Sequence, residues 1–313
     1  MLRIATASGA AQKPMPLQIE LDSRPAILPL YFRALTARKS GCPGPAQESV
    51  LASVSLCDQA IDPQHLNGYR DVCGFAPGHQ VPATYPFVLA MPLQLKLLVS
   101  EAFPFPVLGV VHTRNRIVQH RPMRESERLD IRCELGAPVP VKRGYEFELV
   151  TRVHVGEALV WECISTLLSR VKHPDGKKAR PAVEVKGVNR ALDFNMDTAE
   201  KWLVPADTGR RYGRISGDRN PIHLSAPTAK IFGFPRAIAH GMWTKARCLA
   251  ALEQGTYAGK LPDQFALDVK FIKPVFLPAE VHFQWATGDD VTGFAVSSGA
   301  GKRVHLSGQI AHD

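Results

Sequence analysis

The chemistry of this 313-residue chain concentrates in the run YGRISGDRNPIHLSAPTAKIFGFPRAIAHGMW, residues 212–243. Asp218 stands five residues before His223, and the Asn220–Pro221 pair stiffens the link between them. Gly217 and Pro221 keep this stretch out of regular helix, so it reads as a loop, where side chains can face a cleft. An imidazole titrates near neutrality and can hold a water as base or return the proton as acid. A neighbouring carboxyl can take the complementary role. Further on, His240–Gly241 opens a long apolar segment. If a helix starts there, the Gly241 N–H is an orphan donor of its first turn, with the helix dipole behind it. Such a donor suits an oxygen on which negative charge develops. Asp218, His223 and Gly241 are therefore the candidate catalytic residues, and Tyr212, Asn220 and His240 the candidate substrate contacts. Each piece alone has a plainer reading: a polar turn, and a glycine kept for tight helix–sheet packing.

The elements that must position these residues come in two similar sets. The first has an apolar helix over 85–103, stopped by Pro104 and Pro106. Strands follow: Leu129, Ile131 and Cys133 alternate with polar residues, then 145–155 and 158–170 flank a turn at Gly156. The second has a helix over 239–254, ended by Gly255, and strands over 265–271, 281–286, 292–297 and 303–311, with a turn at 299–301. A short helix at 227–232, with Ser225 as N-cap and Pro227 in its first turn, reads as structural. The run HPDGKKARPAVEVKG, 173–187, reads as a linker. A helix with an antiparallel sheet, occurring twice, makes an α+β chain of two modules.

Composition narrows the function classes. An apolar fraction of 45% and a charged fraction of 21% are ordinary globular values. No apolar run reaches the roughly 18–20 residues of a membrane span. Residues 1–15 are acid-free, with Arg3 and Lys13, but lack the several arginines of a transit peptide and read as a frayed terminus. Cys42, Cys57, Cys73, Cys133, Cys163 and Cys248 form no CxxC pair and read as buried thiols in a reducing, cytoplasmic setting. The formal charge of +9 suits an anionic partner. No zinc-finger, RRM or helix-turn-helix signature points to nucleic acid.

The ordered set SGDRNPIH, GFPRAIAHGM and FALDVKFIKPVFLPAEV resembles the MaoC-like (R)-specific enoyl-CoA hydratases and 3-hydroxyacyl-thioester dehydratases. The resemblance is dense over 205–285. It thins over 60–170, which looks like the degenerate first module of two-module members. It implies a double hot-dog fold, with the division 1–172, a linker 173–197, and a catalytic module 198–313. It implies reversible hydration of a trans-2-enoyl thioester of coenzyme A or acyl carrier protein. Asp218 and His223 would activate one water, the Gly241 N–H would bind the thioester oxygen, and Asn220 would support the loop. No metal and no cofactor beyond the thioester carrier is implied, and the assembly allowed is a homodimer. Two departures stand out. Some members carry a Ser on the central helix that supports the catalytic Asp, whereas this chain has Arg247–Cys248–Leu249–Ala250 there. The first half has Met91–Pro92 where His-Gly would be expected. One active site per chain follows, the first half helping to form a tunnel for the acyl tail. Two other readings stay open: an acyl-CoA thioesterase, and a non-catalytic subunit that binds acyl thioesters.

Overall fold

The computed structural model describes residues 16–41, 49–171, 198–299, 301 and 303–312. The linker, the first 15 residues and Cys42 lie outside the described residues. The first half runs β1 (Leu17–Leu21), α1 (Ile27–Thr36), β2 (Val50–Ala60), α2 (Pro63–Cys73), α3 (Tyr85–Val99), β3 (Val111–Gln119), β4 (Arg128–Gly136), β5 (Val139–Val141), β6 (Gly144–Val155) and β7 (Ala158–Ser169). The second runs β8 (Thr198–Val204), α4 (Thr208–Ser216), a 3-10 turn (Pro221–His223), α5 (Ala226–Ile231), α6 (Gly241–Gly255), β9 (Phe265–Phe271), β10 (Ala279–Thr287), β11 (Val291–Ser298) and β12 (Arg303–Ala311).

The strands form one sheet in the order β1-β2-β4-β6-β7-β3-β9-β12-β11-β10-β8, with β5 beside β6. All pairings are antiparallel except β1 with β2. Each half supplies a sheet and a long buried helix, and the two sheets meet edge to edge at β3 and β9. This is the double hot-dog that the resemblance implies. Period-two alternation turns Leu129, Ile131, Cys133 and Leu135 of β4 inward, and likewise Phe265, Leu267 and Val269 of β9. The central helices α3 and α6 are buried on most sides; α3 is accordingly apolar nearly all round, while α6 buries Thr244 and Lys245 among its apolar residues.

The seam between the halves is pinned by charge. Arg116 of β3 lies opposite Asp268 of β9 and makes an ion pair with it. Beneath the seam, Lys245 of α6 is fully buried and donates to the carbonyls of Asn115 (3.3 Å) and Leu267 (3.1 Å), and to Asn115 Oδ1. It thereby ties α6 to both edge strands. Burial pushes its amine down to about 7.

Several sequence expectations change. Helix α3 stops at Val99 rather than 103, because Ser100 turns extended (φ −69°, ψ 163°). Phe103 and Phe105 fold back into the core, so Pro104 and Pro106 shape a loop and are not the stop. Pro92 lies inside α3, not at its start. A proline there removes the N–H that Val88 O would otherwise accept. Arg24 fills the gap, donating to that carbonyl at 3.2 Å. The helix start that corresponds to His240–Gly241 is Thr84–Tyr85, and the Tyr85 N–H already bonds Pro82 O at 2.8 Å. Among the cysteines, Cys73, Cys133, Cys163 and Cys248 are buried thiols, but Cys57 is exposed. It sits where β2 loses register with β4 and Asp58 takes a positive φ of 56°, a bulge that turns the side chain outward.

Candidate active site

The loop carrying Asp218 and His223 lies on a glycine face of α4. A Cβ at Gly209 would stand 2.0 Å from His223 O, and one at Gly213 would stand 2.8 Å from Asp218 O. Only bare backbone lets the loop approach this closely. Gly217 ends α4 in the left-handed region (φ 75°), and Asp218 follows at once. Asn220 then caps the 3-10 turn, its Oδ1 accepting from Ile222 N at 3.4 Å. Asn220 therefore shapes the loop. Ser225 caps α5 as expected, accepting from Thr228 N.

His223 is buried, and its Nδ1 stands 2.8 Å from Ile238 O. A carbonyl can only accept, so Nδ1 carries the proton and Nε2 keeps a free lone pair. Burial lowers the His223 pKa; Asp218 and the Ile238 carbonyl pull the other way without reversing it. His223 is thus neutral at pH 7, the state a general base needs. His240 is the N-cap of α6, and its ring stacks on His223 with centroids 3.6 Å apart. Its Nε2 donates to Asp218 O at 2.9 Å, while Nδ1 is buried without a partner among the described residues. Burial, then the neighbouring His223, holds His240 down at about 3. His240 secures the backbone of the Asp218 loop rather than reaching freely into the cavity.

Asp218 is held from the other half of the chain. Tyr31 of α1 donates its hydroxyl to Asp218 Oδ1 at 2.9 Å and accepts from Arg219 N at 2.9 Å. Asn220 N also donates to Oδ1, at 3.2 Å. Burial would raise this carboxyl, but the two histidines, the Asn220 N–H and the Tyr31 hydroxyl outweigh it, and the pKa is lowered. Asp218 is therefore ionised at neutral pH.

Gly241 opens α6, and the first bond of the helix runs from Thr244 N to His240 O. The Gly241 N–H has no acceptor within the helix. A Cβ at 241 would also lie 2.9 Å from the Phe271 ring, so the glycine serves packing as well.

A cavity of about 330 Å³ joins these groups. Tyr31, Tyr212, Asp218, Asn220, His223, His240 and Gly241 line one part of it. The other part runs into the first half, between Met91, Gln94, Leu95 and Leu98 of α3 and Leu149, Ser165 and Leu167 of β6 and β7. All six sequence candidates thus reach one cavity. Tyr212 does so as a buried wall, its ring against His240 and Tyr69.

Comparison with known proteins agrees with this geometry. Residues 185–309 match the MaoC-like domain. A 3-hydroxyacyl-thioester dehydratase X of Mycobacterium tuberculosis is 34% identical over 258 residues, which cover 82% of this chain and 88% of that protein. The chain belongs to the MaoC-like dehydratase family. The crystal structure of HtdX from the same bacterium superposes with a TM-score of 0.69 at 32% identity, covering 82% of this chain and 98% of that one. A MaoC-like dehydratase of Phytophthora capsici shares the fold at 18% identity (TM-score 0.67, covering 83% and 95%).

Against the MaoC-like pattern, the residue that sequence reasoning missed is Tyr31. It lies 187 positions from Asp218 in an apolar helix, and a lone tyrosine there gives no signal. His112 of β3 was missed too; it lines the cavity, its ring is 4.9 Å from Phe271, and its Nε2 is buried without a partner among the described residues. Among the described residues, Asp218, His223 and His240 are the group whose donor atoms, within 4.8 Å of one another, could reach one ion. They suit it poorly. The imidazole planes are stacked at 25°, so their in-plane lone pairs run side by side, and the His240 Nε2 is already engaged by Asp218 O.

Proposed function

We propose that the chain interconverts trans-2-enoyl and (R)-3-hydroxyacyl thioesters, with Asp218 and His223 as the acid–base pair and the Gly241 N–H as the oxyanion donor. As a MaoC-like dehydratase it is a hydro-lyase, and the dehydratase X relative is named for 3-hydroxyacyl thioesters. The observation that carries the reading is the pairing of a neutral His223, its Nε2 free, with an ionised Asp218 in the wall of a cavity that has an apolar arm.

Hydration then runs as follows. A water sits between Asp218 and His223 Nε2. His223 removes its proton as the water oxygen bonds to C3 of the enoyl chain. The C2=C3 electrons move toward the thioester carbonyl, whose oxygen gains charge against the Gly241 N–H and the positive end of α6. A proton returns to C2 from the Asp218–His223 pair. Dehydration is the reverse. The acyl tail occupies the apolar arm between α3 and strands β6 and β7. These steps use no bound cofactor besides the carrier of the thioester.

The test is hydration of crotonyl and longer enoyl thioesters with chiral analysis of the product. Formation of the (R)-3-hydroxyacyl thioester is expected. Release of free thiol from saturated acyl thioesters, without hydration, would refute the reading in favour of a thioesterase.

A further inference from the structure

Helix α1 carries more apolar surface than the described residues cover. Leu30 and Ala34 pack on Leu95 and Val99 of α3, with Ile27 and Tyr31 beside them. Leu28, Phe32 and Leu35 stay 60%, 67% and 61% exposed. Their i, i+4, i+7 spacing sets all three on one stripe, next to the buried face. That stripe borders the active site. Tyr31 of the same helix lines the cavity and bonds Asp218, and Val107 and Leu95 belong both to the cavity wall and to the packing under α1.

The surroundings are mainly basic, with Glu101 near Lys39 as a counter-charge. Residues 23–47 contain Arg24, Arg33, Arg38 and Lys39 and no Asp or Glu. Arg33 and Arg38 are exposed, as is Arg219, whose N–H meets the Tyr31 hydroxyl. Arg170 and Lys273 line the cavity itself.

We infer that this face of α1 docks a small acidic acyl carrier protein, which delivers its thioester on a phosphopantetheine arm into the adjoining cavity. The inference rests on the thioester reading above and adds the carrier. Coenzyme A would meet Arg170 and Lys273 of the cavity through its phosphates, not Arg33 and Arg38 of α1, and a nucleotide has no surface to cover Leu28, Phe32 and Leu35. An acidic protein with apolar residues among its carboxylates uses both features. Basic residues steer the encounter, and the apolar stripe supplies the buried contact.

The experiment compares one enoyl chain on coenzyme A and on the host's own acyl carrier protein, for wild type, Phe32→Glu and the pair Arg33→Glu with Arg38→Glu. None of these residues belongs to the catalytic set. The expected result is a higher kcat/KM on the carrier protein. Each variant lowers that value about tenfold or more, as loss of an interface anchor or of steering does. The same variants hydrate the coenzyme A thioester within about twofold of wild type, which also shows that they fold. Added salt depresses the carrier-protein rate selectively. Equal losses on both carriers, no loss on either, or a wild-type preference for coenzyme A overturns the inference. So does a dimer that Phe32→Glu turns into monomer, since the stripe would then cover a second copy. If wild type turns over neither thioester, the hydratase reading fails by itself. Titration of holo carrier protein onto wild type and Phe32→Glu then decides the docking face independently, with tight binding lost in the variant expected and equal or absent binding overturning it.

Discussion

The two central helices begin differently, and the difference is why the proposed chemistry is assigned to one half alone. Helix α6 opens on His240–Gly241, with a bare N–H beside Asp218 and His223 in a cavity wall. Helix α3 opens on Thr84–Tyr85, where three polar groups are already engaged. The Tyr85 N–H bonds Pro82 O, its hydroxyl bonds His65 Nδ1, and Thr84 Oγ1 accepts from Tyr69. Tyr85 is fully buried. The first half keeps the scaffold and lends its interior: the residues of α3 that reach the cavity run from Phe87 to Leu98 and are mostly apolar, Met91 and Leu95 among them. It also lends Tyr31, which holds the carboxyl of the other half. On the mechanism proposed above, one half reacts, and the other binds and aims.

The sharpest break in this comparison is His223→Ala. Removing the base lowers kcat/KM on the order of 10³-fold, read from hydration kinetics, while the cavity of the first half stays intact. Activity near wild type would return both halves to equal standing.

Tyr31→Phe tests the contribution across the halves. Losing a hydrogen bond to a carboxylate is expected to lower kcat about tenfold or more, with KM changing less. Its pH profile has a definite sign. The Tyr31 hydroxyl helps hold Asp218 low, so its loss raises the carboxyl and moves the acid limb of kcat to higher pH. In wild type that limb lies below the ordinary imidazole value of 6.5, because both Asp218 and His223 are depressed. A limb unmoved in Tyr31→Phe would make Tyr31 a packing residue.

Met91→Trp and Leu167→Trp probe the binding arm. Filling it is expected to cost about tenfold in kcat/KM on long enoyl thioesters and little on crotonyl. A chain-length series reads this directly.

The smallest effect concerns the seam. Lys245 has a folded value of about 7 against an ordinary 10.5, so the unfolded chain binds the extra proton between those limits. Stability should therefore rise as pH goes from 7 to 10.5, and Lys245→Met should flatten that slope. Urea midpoints across that range measure it.

Much of this was legible before any coordinates. The alternation of β4, β9 and β10 and the apolar runs of α3 and α6 are strong local signals. So were the spacing of Asp218, Asn220 and His223, and Ser225 as a cap. Less visible were α1, α2, β2, β3 and β8. Strand β3 reads VHTRNRIVQ, with Asn115 inward on the seam and Thr113 and Arg114 across a register shift, so its alternation is blurred. Tyr31 was invisible because its role comes from a contact 187 residues away. The question posed by the missing helical Ser thus has an answer that only the tertiary fold contains.

The most direct measurement is a crystal structure of Asp218→Asn with a bound trans-2-enoyl thioester. The account predicts one ligand per chain, with its thioester oxygen on the Gly241 N–H, C3 facing His223 Nε2, and the acyl tail between α3 and strands β6 and β7. A thioester seated at Thr84–Tyr85, or with C3 turned away from His223, would contradict it.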